Sequence, residues 1–240
     1  MRTLTARAHA EVSTVERVDP PMPAAEGEAE RFAALWRRRV SSPPSPDGAT
    51  VYAALCRLYE APERRFHNLD HIRDCLRRFD EVAPLLQDRD AVELALWFHD
   101  AVYDVGATTN ERRSAELFLA LSAGARFVFR HHVCGLIMAT RHARRIHGND
   151  RTFMVDIDLS GFGAPWEEFM RNGARLREEA ANQTDDQYRA GQVVFLGRLQ
   201  LRPQFFFTDY FRDRCEAQAR ENLTRVLAEL AHHGYRPPTL

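Results

Sequence analysis

The chain has 240 residues, of which 45% are hydrophobic, so it is long enough to bury a sizeable core in one large domain or two small ones. Its formal net charge is −1, and all 33 of its basic residues are arginine. A nearly neutral chain has no strong field to attract nucleic acid or an anionic membrane, and we expect neither as a partner. The absence of lysine excludes a Schiff-base lysine and a lysine-bearing phosphate loop.

Residues 1–27 are rich in Ala, Glu, Pro and Val without steady periodicity, and we expect them to form a disordered leader. The leader contains no apolar run of about 7 residues that would indicate a signal peptide, and no later stretch approaches about 18 apolar residues. The four cysteines are widely spaced, which is typical of free thiols in a reducing compartment. We therefore expect a soluble cytoplasmic protein with a single domain over residues 28–240.

Apolar residues at helical spacing predict a first helix from about residue 28, followed by a loop rich in Ser and Pro at 41–46. Asp47 is a candidate N-cap for a second helix that ends near residue 59. Six residues are expected to form the inward faces of these two helices: Phe32, Leu35, Trp36, Val51, Leu55 and Leu58.

Asn68 is a candidate N-cap for a third helix that ends near residue 82. The next predicted helix, 90–99, is apolar on almost every side and should be central to the fold. Further helices are predicted at 111–122, 127–141, 166–181, 185–201 and 208–232, and a short segment ends at Gly161 or Gly163. Because no stretch of useful length alternates with a period of two, the sequence predicts an all-α bundle of about nine or ten helices.

Two pairs of residues early in the chain are candidates for metal ligation. His99 and Asp100 are adjacent at the end of the most apolar helix, and Asp is seldom buried unless it is paired or binds a metal. His67 and His71 are four residues apart, a spacing that places them on one helix face. If Asn68 caps that helix, however, only His71 is firmly placed.

Later segments add carboxylates and another imidazole. Asp158 is the candidate that completes a set of two His and two Asp, and Asp156 is its alternative, with helix capping or support of a ligating His as its other roles. Such a set with open positions suits one or two ions of Mn, Fe, Co or Ni, and suits Mg less well. An ion of this kind lowers the pKa of bound water and polarises a phosphoryl oxygen.

Five short motifs follow one another along the chain. They are FHNLDHI at 66–72, WFHDAVYD at 97–104, NERRSA at 110–115, ATRH at 139–142 and DIDL at 156–159. With their order His, His-Asp, Asp, they resemble the HD superfamily of metal-dependent phosphohydrolases, in particular a branch described as predicted metal-dependent HD phosphohydrolases. The resemblance covers residues 30–231 approximately and implies an all-α HD-type bundle.

The resemblance also implies roles for individual residues. His67 is similar to the His of cyclic-nucleotide phosphodiesterases that protonates the leaving oxygen, although those enzymes have Tyr where this chain has Phe66. Asp104 lies one residue away from the position of an acidic base in some HD nucleotidases. Relatives often have Asp where this chain has Thr109. The lack of that carboxylate here argues against a metal or water site in this loop. Four residues are implied as metal ligands: His71, His99, Asp100 and Asp158.

The implied activity is hydrolysis of a small phosphorylated substrate, nucleotides included, by attack of a metal-bound water in a monomer or homodimer. Arg141, His142 and Glu111 are the candidates for substrate binding, because an arginine holds phosphate by forked hydrogen bonds and His142 could contact phosphate or a second metal. Further arginines that could hold a phosphate in this way are Arg64, Arg65, Arg144 and Arg145. One alternative is a di-iron HD-type oxygenase that takes further ligands from His142 with Asp104 or Glu111. The other is a non-catalytic helical protein that binds a nucleotide or a structural metal.

Overall fold

The computed structural model describes residues 24–39, 46–123, 129–142 and 146–236. In these ranges the chain forms ten α-helices and no β-strand, which confirms the predicted all-α class. The helices are α1 (Ala24–Arg39), α2 (Gly48–Tyr59), α3 (Leu69–Val82), α4 (Arg89–Phe98), α5 (Asn110–Leu121), α6 (Arg130–Ile137), α7 (Asn149–Asp158), α8 (Trp166–Glu179), α9 (Asp185–Gln200) and α10 (Asp209–His232). Short 3₁₀ helices lie at Ala83–Leu85, Met138–Arg141 and Leu159–Gly163.

The predicted N-caps of α2 and α3 are confirmed. The Asp47 carboxylate accepts the Thr50 backbone N–H at 2.8 Å. The Asn68 side chain accepts the backbone N–H groups of Asp70 and His71. Each cap satisfies donors that the first helical turn leaves without a partner, so each helix starts where its cap dictates.

Three sequence predictions need correction. Leu58 is 36% exposed, and Tyr59 is buried in its place at the end of α2. The predicted helix 127–141 begins at Arg130, because the preceding Phe129 takes a left-handed conformation that a continuous helix does not accept. It tightens into a 3₁₀ helix at Met138. The short segment around Asp156 is the C-terminal part of a full helix, α7.

α4 runs through the centre of the bundle, as its composition predicts. Every residue from 91 to 98 is buried, and α1, α3, α5, α6 and α7 all pack against this helix. Aromatic side chains surround its C-terminal end, where the rings of Trp97 and Phe98 contact Phe32 and Phe98 also contacts Phe118. This packing fixes the position at which α4 ends, and therefore the position of the next two residues, His99 and Asp100.

The predicted leader 1–27 lies outside the described residues except for the first residues of α1, which begins at Ala24. The predicted loop 41–46 also falls outside them, apart from its last residue. Among the described helices, none is both long enough and apolar enough to cross a membrane.

Candidate metal centre

Three helix ends bring four polar side chains together in the core of the bundle. His71 lies in the first turn of α3, His99 and Asp100 follow the last residue of α4, and Asp158 is the last residue of α7. His71 and His99 are buried, and the side chains of both aspartates are 13% exposed. The structure thus brings together the four residues that the sequence resemblance selects as ligands.

The distances between their donor atoms suit a shared cation. The Nε2 atoms of His71 and His99 are 3.3 Å apart, and each lies 3.4 Å from Asp158 Oδ1. Asp100 Oδ2 lies 3.0 Å from His99 Nε2 and 3.6 Å from His71 Nε2. Donor atoms bound to one ion at about 2.1 Å are about 3.0 Å apart at a right angle and about 3.4 Å apart at a tetrahedral angle.

A backbone carbonyl sets the orientation of the His99 ring. His99 Nδ1–H donates to the carbonyl oxygen of Leu96 at 2.9 Å, which leaves Nε2 as the nitrogen that faces the two carboxylates. Metal-ligating histidines are commonly held in this way, since the bond fixes both the tautomer and the ring plane.

The electrostatics of the cluster favour positive charge. Burial by itself would lower the pKa of His99, but the neighbouring Asp100 and Asp158 carboxylates raise that pKa well above its ordinary value. Burial would raise the pKa of Asp158, yet hydrogen bonds from His142, His71 and His99 hold it well below its ordinary value. Two nearly buried carboxylates therefore need compensation, from protons on the imidazoles or from a cation.

His142 contacts this cluster from the other side of Asp158. Its Nε2 lies 3.1 Å from Asp158 Oδ2, the oxygen that does not face His71 and His99. The residue has a left-handed backbone (φ +51°), and Arg202 donates to its carbonyl oxygen at 3.4 Å. The structure thus places this predicted substrate-binding residue where its ring can fix the orientation of Asp158.

Asp156, the alternative to Asp158, has a different set of partners. Its carboxylate accepts the backbone N–H groups of Phe207 and Thr208 and the Thr208 hydroxyl at 2.7–3.1 Å. Thr208 is the N-cap of α10. Asp156 therefore anchors the start of the last helix, and Asp158 is the one of the two that joins the cluster.

His67 lies just before α3, next to the cluster. Its ring stacks on Tyr103 with centroids 3.8 Å apart, and its centroid is 5.9 Å from that of His71. His67 Nδ1–H donates to Glu179 Oε2 at 2.5 Å. The same Glu179 accepts through Oε1 the backbone N–H groups of residues 65, 66 and 67 at 3.0–3.3 Å. One carboxylate thus fixes both the His67 ring and the loop that carries it.

Arg64, a candidate phosphate ligand in the sequence, is buried and binds backbone carbonyl groups instead. Its guanidinium donates to the carbonyl oxygens of His67, Asp100 and Ala101 at 2.9–3.1 Å. These bonds connect the loop that carries His67 to the turn that carries Asp100.

The remaining predicted site residues make other contacts. The Asp104 carboxylate pairs with Arg113 and is 65% exposed. Glu111 lies 3.9 Å from the guanidinium of Arg141, whose side chain is 45% exposed. Neither pair includes a member of the four-residue cluster. Arg144 and Arg145, two further candidates for phosphate, lie outside the described residues.

No family model, curated protein or solved structure matches this chain. The case for a functional site therefore rests on the geometry of its own residues.

A small cavity of about 70 Å³ adjoins the cluster. Its lining includes His71, Cys75 and Asp158 together with polar residues such as Arg78 and Asn172. This volume is sufficient for several water molecules. The cluster therefore has a partly polar cavity beside it.

The sequence reasoning did not select Glu179 or Cys75. Glu179 is 112 residues from His67, so no local spacing connects them. One signal was present, because Glu179 is the last residue of α8 and a negative charge at a helix C-terminus is unfavourable to the helix dipole. A carboxylate at that position therefore indicates a partner elsewhere in the fold. Cys75 follows His71 by one helical turn, a spacing that places both on the same face of α3.

Proposed function

We propose that this chain is a metal-dependent phosphohydrolase of the HD type that acts on a small phosphorylated substrate, with nucleotides among the candidates. The observation that carries the proposal is the set of donor-atom distances, 3.0–3.6 Å, among His71, His99, Asp100 and Asp158. Buried imidazole with carboxylate suits Mn, Fe, Co or Ni. Such a cation, when bound, polarises a phosphoryl oxygen and increases the acidity of water.

The residues of the chain supply positioning and proton transfer. His67 is held by Glu179 through Nδ1 and by the face of Tyr103, so its Nε2 is the nitrogen left to serve a substrate. A proton on that nitrogen passes to the leaving oxygen as the P–O bond breaks, while the Glu179 carboxylate holds the ring in position for this transfer. General acids of this kind contribute about 10²- to 10⁴-fold to the rate.

Asp104 has no part in the proposed mechanism, since its carboxylate is exposed and paired with Arg113. His142 acts through Asp158, whose second oxygen it contacts. Arg141, which precedes His142 in the chain, and Glu111, which faces Arg141, remain candidates for contact with substrate.

The proposal is tested with Asp100→Asn and Asp158→Asn, each compared with the exposed Asp70→Asn. Purified proteins loaded with Mn, Fe, Co or Ni are assayed on phosphomonoesters, phosphodiesters and nucleotides, and metal content is measured by elemental analysis. We expect the first two variants to lose both metal and activity and Asp70→Asn to keep both. If wild type hydrolyses none of these esters, and both cluster variants retain as much metal as wild type, the proposal is wrong.

The same samples separate the alternatives. Two irons per chain with a visible charge-transfer band would indicate an oxygenase. Tight nucleotide binding in a calorimeter without turnover would indicate a non-catalytic protein. The contacts of the described residues do not favour the oxygenase. Glu111 faces Arg141 and Asp104 faces Arg113, so neither carboxylate joins His142 as a further ligand.

A further inference from the structure

We infer that Cys75 is a metal ligand of the same centre, and that the centre therefore takes a borderline-soft cation such as Zn(II) or Co(II) in preference to Mg(II) or Mn(II). The inference rests on the proposed metal site and extends it from oxygen and nitrogen donors to sulfur. It assigns a role to a side chain that the motif-based ligand set does not include.

The first support is distance. Cys75 Sγ lies 3.7 Å from His71 Nε2, the same nitrogen that faces His99 and Asp158. Single donor atoms of His71, Cys75, His99 and Asp158 all lie within 4.8 Å of one another. A sulfur and an oxygen on opposite sides of one ion would be about 4.4 Å apart, from bond lengths of about 2.3 and 2.1 Å. The 3.7 Å separation between Cys75 Sγ and His71 Nε2 lies within the distance that one ion can bridge.

The second support is the position of the thiol on its helix. His71 and Cys75 are separated by one turn of α3, so a rigid backbone presents both to the same point. Cys75 is 2% exposed, yet it lines the small cavity together with His71 and Asp158. A cysteine that only filled the core would face apolar neighbours, whereas this one borders the space beside the cluster.

The third support is chemical. Cys75 is 2% exposed, and a thiolate in so buried a position would be compensated by the cation that it binds. Binding is then an exchange without redox change: the sulfur–metal bond forms, and the thiol proton leaves to solvent. Thiolate ligands select zinc and similar cations, whereas Mg and Mn prefer carboxylate and water. A centre with this sulfur should therefore discriminate among metals that two His and two Asp alone would accept.

Co(II) titration of the chelator-treated protein tests the inference. Thiolate ligation gives a thiolate-to-cobalt charge-transfer band in the near ultraviolet, which oxygen and nitrogen ligands do not give. We expect wild type to show this band, saturating at one Co(II) per site, and Cys75→Ser to bind Co(II) without it. The control is Cys134→Ser, which changes a partly buried free thiol outside the cluster and should keep the band.

Competition between metals provides a second measurement. In Cys75→Ser the Kd for zinc should rise at least about tenfold relative to wild type, while the Kd for Mn should change little. Co(II) bound to wild type with no charge-transfer band overturns the inference and leaves the phosphohydrolase proposal intact. If wild type and Asp158→Asn bind no Co(II), or bind it equally, the metal site itself is wrong. Because the absence of the band in wild type overturns the inference by itself, the test remains falsifiable even if Cys75→Ser fails to fold.

Discussion

Glu179 and His67, 112 residues apart in the chain, are joined by a 2.5 Å hydrogen bond between a carboxylate oxygen and a ring nitrogen. Glu179 is buried at the end of α8, and its pKa is lowered: burial opposes the charged form, but the bonds from His67 and from the backbone outweigh it. The ionised carboxylate accepts from His67 Nδ1, so Nε2 is the ring nitrogen without a contact to Glu179. The pair therefore fixes the position of the His67 ring.

The first prediction concerns leaving groups. Glu179→Gln should lower kcat about tenfold or more on an alkyl phosphate, whose leaving oxygen needs a proton, because His67 loses its charged partner. On p-nitrophenyl phosphate, whose leaving group departs without help, the loss should be less than about threefold. Steady-state kinetics on the two substrates measure this difference directly.

The control for this variant is Glu178→Gln, which changes an exposed neighbour on the same helix turn. It should leave both rates near those of wild type. An equal loss on both substrates in Glu179→Gln would mean that the carboxylate only holds the loop of residues 65–67 in place. His67 would then not be the general acid that the proposal requires.

The second prediction separates two roles for His142. Because its ring contacts Asp158 Oδ2, His142→Ala should weaken metal binding about 10- to 100-fold, the usual effect of losing a partner of a metal ligand. At saturating metal its KM should stay near the wild-type value. His147→Ala, an exposed histidine, is the matched control. A raised KM with an unchanged metal Kd would instead support the substrate-binding role expected from the sequence.

The third prediction compares the two neighbouring aspartates of α7. Asp156→Asn should lower the free energy of unfolding by about 1–3 kcal/mol, because an amide cannot accept all the N–H and O–H donors that Phe207 and Thr208 present. Its metal affinity should be unchanged. Asp158→Asn should instead lose metal affinity, because it removes a charged donor that lies 3.4 Å from both His71 Nε2 and His99 Nε2. Urea unfolding and metal titration of both variants check this, and metal loss in Asp156→Asn would reverse the assignment.

Much of the local structure was predictable because its causes are local. The caps Asp47 and Asn68 act within three residues, and the apolar surface of α4 follows from its composition alone. The left-handed backbone of Phe129, which interrupts an otherwise helical pattern, was not predictable from that pattern. Leu58 was placed inward by periodicity, whereas the core at that end of α2 takes Tyr59.

The candidate site likewise has residues that the sequence predicts and contacts that it does not. Four proposed ligands belong to short motifs, and the structure brings them together. The bond between Glu179 and His67 depends on how α8 packs against the loop before α3, which no local pattern encodes. For Asp104 the chain position suggested a role, but the side chain turns to Arg113. Which of Asp156 and Asp158 faces the cluster could be decided only when the neighbours of both were known.

The fourth prediction concerns acid stability and the segment between α9 and α10. Glu216 accepts the backbone N–H groups of Phe205 and Phe206 at 2.8–3.0 Å and the Arg220 guanidinium at 2.9 Å. Burial works against its charged form, but these donors outweigh burial and lower its pKa below the ordinary 4.5. A carboxyl with a lowered native pKa stabilises the fold above its unfolded pKa, and this stabilisation is lost as the pH falls through the native value.

Glu216→Gln should therefore reduce the free energy of unfolding by about 1–3 kcal/mol at pH 7. The reduction should be smaller at about pH 3, which lies below the unfolded pKa, because wild type has lost part of this stabilisation there. Urea unfolding at the two pH values measures the difference. Glu221→Gln, an exposed change on the same helix, should shift stability by less than about 0.5 kcal/mol at either pH. If Glu216→Gln costs as much at pH 3 as at pH 7, the side chain acts by its shape, and the charge of Glu216 does not hold Phe205 and Phe206 against α10.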